Sequence, residues 1–192
     1  MPTFSTPAIL LRRSVYGDYD LIVTFLTVSQ GKLTVIAKNA KKSRKRFAGL
    51  LELFALLDID CRPPKGQGMP VLEAAKLDNP FSGIRESIIK TAYASYWAEL
   101  INLWLEDGKP QADIYHLLRY CLNALDSGSI GHGQLSIIFQ LRFLHFSGLS
   151  PDFSECNQCR TGVDEIPGDS LVFELAKGGY CAKDVRQMPL PA

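Results

Sequence analysis

The segment Lys38–Arg46, KNAKKSRKR, constrains the fold more than any other stretch of this chain. It gathers six basic residues, Lys38, Lys41, Lys42, Arg44, Lys45 and Arg46, and no acid. Such a run cannot enter a core, because its mutual repulsion has to be relieved by water or by an anionic partner. It is therefore a surface connection. Before it, Leu33–Lys38 sets Leu33, Val35 and Ala37 against Thr34, Ile36 and Lys38, the period-two pattern of a strand. After it, Leu51–Cys61 sets Leu51, Leu53, Ala55, Leu57, Ile59 and Cys61 against Glu52, Phe54, Leu56, Asp58 and Asp60. The expectation is a hairpin-like connection that presents the charges to solvent. A surface that binds phosphates is the function it favours over plain solvation.

The charge distribution supports this. The net charge of the 192 residues is only +1. Residues 1–80, however, carry twelve Lys/Arg against seven Asp/Glu, and residues 81–192 carry nine against thirteen. The basic character belongs to the first part alone, so phosphate contact is expected there. Apolar content of 46% and charged content of 21% are those of a folded chain large enough to bury a core without disulfides. No apolar run approaches the roughly 18–20 residues of a membrane span, and the N-terminus lacks the pattern of a secretory signal. Five cysteines without such a signal point to a reducing compartment, and the cytoplasm is expected.

Short strand candidates fill the first 80 residues. Ala8–Val15 carries Arg12 and Arg13, Tyr16–Asp20 supplies turn chemistry, and Leu21–Val28 is apolar and β-branched. Arg62–Pro70 is a loop by its Pro and Gly content, and Val71–Leu77 is a last strand or a short helix. Five such strands favour a small closed sheet, and the OB-fold β-barrel is the economical choice. From residue 80 the pattern turns helical. Ile84, Ile88, Ala92, Tyr96, Leu100, Leu103 and Trp104 mark one inward stripe, and Trp97 and Trp104 are expected in the helix core. Ala112–Leu125 is a second helix with Ile114, Leu117, Leu118, Cys121 and Leu125 inward. Gln134–Phe146 is a third, apolar nearly all round and therefore expected at the centre. The expected architecture is α+β and multidomain, with an OB barrel at 1–79 and a helical domain at 80–192. That second domain carries a cysteine-rich, zinc-knuckle-like element at 150–186.

The knuckle rests on Cys156-x2-Cys159 followed by Cys181, with Asp184 at the matching offset. A C-x2-C turn places two thiolates on one tetrahedral ion, and a second turn closes the site. The expected ligands are Cys156, Cys159, Cys181 and Asp184 around one structural zinc; a metal-free knuckle that simply packs is the plain alternative. Enzyme motifs are thin. Ser87-Ile-Ile-Lys90 matches S-x-x-K without its partner motifs, and Gly31-Lys32 lacks the glycine spacing of a phosphate loop. No enzyme activity is expected. For nucleic acid, the expected DNA contacts are Lys38, Lys41, Lys42, Arg44, Lys45 and Arg46, assisted by Arg12 and Arg13. Tyr16, Tyr19 and Phe47 sit at turns as stacking candidates, while Phe25 is assigned to the core. The competing reading is a protein–protein adaptor whose basic loop docks an acidic partner.

A set of residues carries a resemblance across the whole chain. Ala8-Ile-Leu-Leu-Arg12-Arg13, Gly17-Asp18-Tyr19-Asp20, Gly31-Lys32-Leu33 and Ala37-Lys38 are followed by Ser43-Arg44 and Arg46-Phe47-Ala48-Gly49-Leu50-Leu51-Glu52. With Cys156-x2-Cys159 and Gly178-Gly179-x-Cys181, these resemble the bacterial recombination mediator family RecO. The resemblance implies an N-terminal OB fold, a helical domain and a zinc element within it. It implies binding of single- and double-stranded DNA, annealing of complementary strands, and action with RecR and single-strand-binding protein in loading RecA. Asp184 stands where many members of the family carry cysteine, and members continue with further helices beyond the point matching Ala192.

Overall fold

The computed structural model describes residues 3–43, 45–64, 66–150, 154–156, 160–165, 172–174 and 179–181. Five strands, β1 (Phe4–Tyr16), β2 (Asp20–Thr27), β3 (Gly31–Ala37), β4 (Leu56–Arg62) and β5 (Val71–Asn79), close into a barrel in the order β1-β2-β3-β5-β4. All neighbouring pairs are antiparallel except β3 and β5, which meet in parallel at Ile36 and Val71. Closure depends on β1, which is long enough to serve two partners. Its first half, Phe4–Ile9, pairs with β4, and its second half pairs with β2 as far as Tyr16. A register shift between Leu10 and Arg12 bends the strand from one partner to the other, the ordinary use of a β-bulge. This is the OB-type barrel expected from the sequence.

Alternation sorts the barrel residues. Ala8, Leu10, Val23, Phe25, Val35, Ala37, Leu57, Ile59, Cys61 and Leu72 fill the interior. Ile9, Leu11 and Leu26 alternate with them on the outer face, yet they are buried too. That face is covered by helices, since α2 (Ile88–Trp104) lies against β1 and α3 (Ala112–Ser127) against β2. Cys61 and Cys121 are inert thiols, both pushed up to about 12, Cys61 first by burial and then by Asp60 and Glu73, Cys121 by burial.

The connection carrying the basic run corrects the sequence reading in two respects. It is not a hairpin, because β5 lies between β3 and β4 in the barrel. Nor does β4 begin at Leu51: residues 51–55 belong to no strand, Leu53 and Phe54 form a turn, and Phe54 has a left-handed backbone (φ 70) that cannot belong to a pleated strand. Leu51 and Ala55 still reach the barrel core, as the alternation requires, but they do so as part of a cap over its end.

Before α2 stands a single turn, α1 (Ser82–Arg85), and the two are not continuous. Ser87 is extended and accepts the Lys90 N–H on its side chain, which makes it the N-cap of α2 rather than a residue inside a longer helix. This break resets the helical phase. The buried stripe of α2 is Ala94, Trp97, Ala98 and Ile101, whereas Ile88 is 88% exposed and Leu103 76% exposed. Trp97 is in the core, stacked on Phe139 at 5.2 Å, but Trp104 is half exposed. In α3 the expected inward residues Ile114, Leu117, Leu118, Cys121 and Leu125 are all buried. α4 (His132–Phe146) buries Leu135, Phe139 and Phe143 but leaves Ile137, Ile138 and Leu141 exposed, so it is not central as expected.

Met1–Gln140 forms one compact unit and Leu141–Ala192 a second. In the second unit, Val163–Glu165 makes one turn of 3-10 helix, and β6 (Val172–Glu174) pairs antiparallel with β7 (Gly179–Cys181). Among the described residues no helix is long and apolar enough to cross a membrane.

Candidate nucleic-acid interface

The basic connection is held against the barrel by apolar anchors at both ends of the charged run. Ala40 and Phe47 are buried with the barrel core, Phe47 to 4% exposure, while Lys38, Lys41, Lys42, Lys45 and Arg46 are exposed around them. Phe47 is therefore an anchor, not the stacking residue expected at a turn. Between the anchors the backbone is turned and bonded. Lys42 and Ser43 donate their N–H groups to the carbonyls of Asn39 and Ala40, and the Ser43 hydroxyl accepts the N–H of Arg46. Asn39 takes the left-handed conformation this turn needs (φ 56), which asparagine tolerates better than most residues. The Arg46 guanidinium donates to the Lys38 carbonyl at 3.0 Å and lies over the Phe47 ring, 4.9 Å from its centre. Arg44 lies outside the described residues.

The connection also leans on the β1–β2 hairpin. The Lys41 N–H donates to the Tyr19 carbonyl at 3.0 Å, and the Asn39 N–H donates to the Asp20 carboxylate at 2.7 Å. The Lys42 ammonium sits 3.3 Å from the centre of the Tyr19 ring. Tyr16 and Tyr19, 52% and 44% exposed, flank the Gly17–Asp18 turn, whose Gly17 is left-handed (φ 61). Two loops distant in sequence thus share one end of the barrel, bringing aromatic rings and ammonium groups together.

Arg12 and Arg13 do not act as a pair, because neighbours on a strand point to opposite sides. Arg13 faces the basic connection. It borders an open groove of about 480 Å³ with Leu21, Lys41, Ser43 and Phe47. Its guanidinium is engaged there, donating to the Leu51 carbonyl at 2.6 Å and to Glu52 at 3.0 Å. Half-exposed pairs of this kind contribute less than about 1 kcal/mol, so a phosphate can compete for the arginine. Both arginines border a second groove, about 520 Å³, between the barrel and α2, with Leu53, Phe54, Glu99 and Asn102, whereas Arg12 takes no part in the first.

Of the expected zinc ligands, Cys156 is described and buried. Glu155 and Gly162 form an antiparallel bridge, and the Arg160 N–H donates to the Cys156 carbonyl at 2.9 Å. Arg160 has a left-handed backbone (φ 59). Cys181 closes the β6–β7 pairing opposite Val172. Cys159, Asp184 and the side chain of Cys181 lie outside the described residues. Among the described residues no group of three His, Cys, Asp or Glu side chains could hold a metal ion.

A closed five-stranded barrel whose cationic end is built from two loops, backed by helices, defines an OB-type domain joined to a helical one. Residues 1–81 match the family model "Recombination protein O N terminal" and residues 85–191 match "Recombination protein O C terminal". A DNA repair protein RecO of Desulfosudis oleivorans is 46% identical over 181 residues, 93% of this chain and 70% of that protein. Those of Desulfatibacillum aliphaticivorans and Syntrophus aciditrophicus are 43% and 34% identical, over 95% and 97% of this chain and 72% and 71% of theirs. The chain belongs to the recombination protein O family.

Proposed function

We propose that this chain is a non-enzymatic, DNA-binding mediator of recombinational repair that anneals complementary strands. One observation carries the reading: Lys38, Lys41, Lys42, Lys45 and Arg46 are all exposed on a single braced connection at one end of the barrel. Paired cations neutralise phosphates, and two strands coated by such a surface lose the mutual repulsion that keeps them apart. The binding face is assigned to the barrel, residues 1–79, with Arg44, Arg13 and Arg12 extending it, and residues 80–192 are assigned to the helical domain. Family membership supports the remaining partners: RecR and single-strand-binding protein as direct contacts, RecA indirectly, in the bacterial cytoplasm at the nucleoid.

Salt titration tests the binding. With five or six phosphate contacts, the log–log slope of affinity against salt on a single-stranded oligonucleotide is expected near −4, at about −0.7 per contact. A flat response, with an acidic peptide binding as well as DNA, would favour the adaptor reading. Annealing of complementary oligonucleotides coated with single-strand-binding protein then tests the mediator role.

Zinc is part of the same proposal. Cys156, Cys159, Cys181 and Asp184 would hold one ion, which supplies a cross-link for a turn-rich segment and no chemistry. The purified chain is expected to carry about one zinc per molecule, as that ligand set provides one tetrahedral site. Cys156→Ser is expected to lose it and melt lower while retaining oligonucleotide affinity. A chain that takes up no zinc under reducing conditions would refute the site.

A further inference from the structure

We propose that Tyr19 is a base-stacking residue whose ring is kept covered by Lys42 until a phosphate draws the lysine away, so that the ligand of this end of the barrel is a strand with unpaired bases. The inference rests on the phosphate-binding reading above and deepens it.

The arrangement is built rather than incidental. Tyr19 is placed by the Gly17 turn, and its backbone carbonyl is fixed by the Lys41 N–H at 3.0 Å. One residue further along the same connection, the Lys42 ammonium lies 3.3 Å from the ring centre, in contact with a π-face. An ammonium at that position occupies the place a base would take. Neither residue is buried: Tyr19 is 44% exposed and Lys42 is at the surface. The acidic neighbours do not hold the lysine. Asp20 is engaged by the Asn39 N–H at 2.7 Å, and Asp18 is exposed on the turn.

The competition can be decided by magnitude. An exposed cation–π contact is worth about two- to fivefold in an equilibrium constant. A phosphate contact at about 0.1 M salt is worth about fivefold, and a base stacked on an aromatic ring is worth about five- to 150-fold. A single strand offers both at once, a phosphate for Lys42 and a base for the vacated ring, and so wins the exchange. An intact duplex offers the phosphate, but the faces of its internal bases are already stacked. Tyr19 thus converts a sequence-neutral anion grip into one that prefers single strands.

The test uses the full chain and three ligands of equal length at one salt concentration: an oligothymidylate, its abasic counterpart and a blunt duplex. The wild type is expected to bind oligothymidylate at least fivefold more tightly than the abasic strand, and equal affinity would overturn the inference whatever the variants do. Tyr19→Leu is expected to erase that preference, weakening oligothymidylate by about five- to 150-fold while leaving the abasic strand and the salt slope unchanged. Tyr19→Phe, which keeps the ring, should behave as wild type. If Tyr19→Leu weakens all three ligands equally, or none, stacking at Tyr19 is wrong. Lys41→Ala separates the two readings: it should weaken oligothymidylate and abasic strand alike and make the slope shallower by about 0.7. Should Lys41→Ala change nothing, the phosphate reading fails independently of Tyr19.

Discussion

Replacing Gly31 by alanine is expected to cost the fold about 4 kcal/mol, because backbone strain and broken docking bonds add. Gly31 opens β3 with a left-handed backbone (φ 65), which alone costs a residue with a side chain about 1–2 kcal/mol. A β-carbon there would stand 1.9 Å from the Lys109 carbonyl oxygen and 2.5 Å from its carbon, backbone atoms that cannot swing aside. This is where the β2–β3 turn docks on the connection between α2 and α3. Gly108 donates its N–H to the Lys32 carbonyl at 3.0 Å. The Lys32 ammonium, largely buried, donates to the Asn102 carbonyl at 2.9 Å and pairs with Asp107 at 3.2 Å. Pushing the two loops apart breaks these bonds, the ammonium–carbonyl bond worth about 1.5–3 kcal/mol and the pair with the exposed Asp107 less than about 1 kcal/mol. Gly17→Ala is the control, since Gly17 is equally left-handed (φ 61) but a β-carbon there meets nothing within 4 Å. It should suffer only the backbone strain, about 1–2 kcal/mol. Urea denaturation of the two variants measures the difference, and equal destabilisation would show that the docking of the two loops contributes nothing.

The second large effect is on affinity. Changing Lys38, Lys41, Lys42 and Lys45 together to alanine is expected to weaken binding of a single-stranded oligonucleotide several hundred-fold at ~0.1 M salt. The salt slope should become shallower by about 3, at about 0.7 for each phosphate no longer neutralised. These four side chains are exposed, and Arg46, whose guanidinium bonds the Lys38 carbonyl, is left in place to hold the turn. Stability should therefore stay within about 0.5 kcal/mol for each change. The physical ground is the charge split: without its six basic residues, the segment of residues 1–80 would fall from +5 to −1. A variant that binds more weakly with an unchanged slope would mean that the lysines act by shaping the loop rather than by neutralising phosphates.

How much is legible in the sequence varies with the range of the interaction. The interior of β3, Leu33, Val35 and Ala37, follows directly from alternation, and so do Leu57, Ile59 and Cys61 in β4. The inward face of α3 is equally plain, because its stripe runs uninterrupted between two loops. The stripe of α2 differs from the expected one because Ser87 fits a helix interior by pattern but caps a new helix in fact. Past that break Ile88, Ala92, Tyr96 and Leu103 are exposed, and Ala94, Ala98 and Ile101 join Trp97 as the buried stripe. The anchors of the basic connection leave a signal that the charges obscure: Ala40 and Phe47 are its first apolar residues on either side of the Lys41–Arg46 cluster, and both are buried. Alternation sends Arg12 and Arg13 to opposite sides of β1, but it does not tell that Arg13 is bonded to Glu52 while both border the groove beside α2.

By itself the sequence determined that a basic segment must lie on the surface between strands, that five strands precede a set of helices, and that the positive charge belongs to the barrel. Those are local properties, set by hydrophobic period and by the cost of burying charge. Only the tertiary structure decided which strands are neighbours, since barrel closure is a pairing of segments far apart in the chain. Only it brought Lys42 to within 3.3 Å of the Tyr19 ring. That approach exists because Ala40 and Phe47 are drawn into the barrel core and pull the charged turn down onto the hairpin between them.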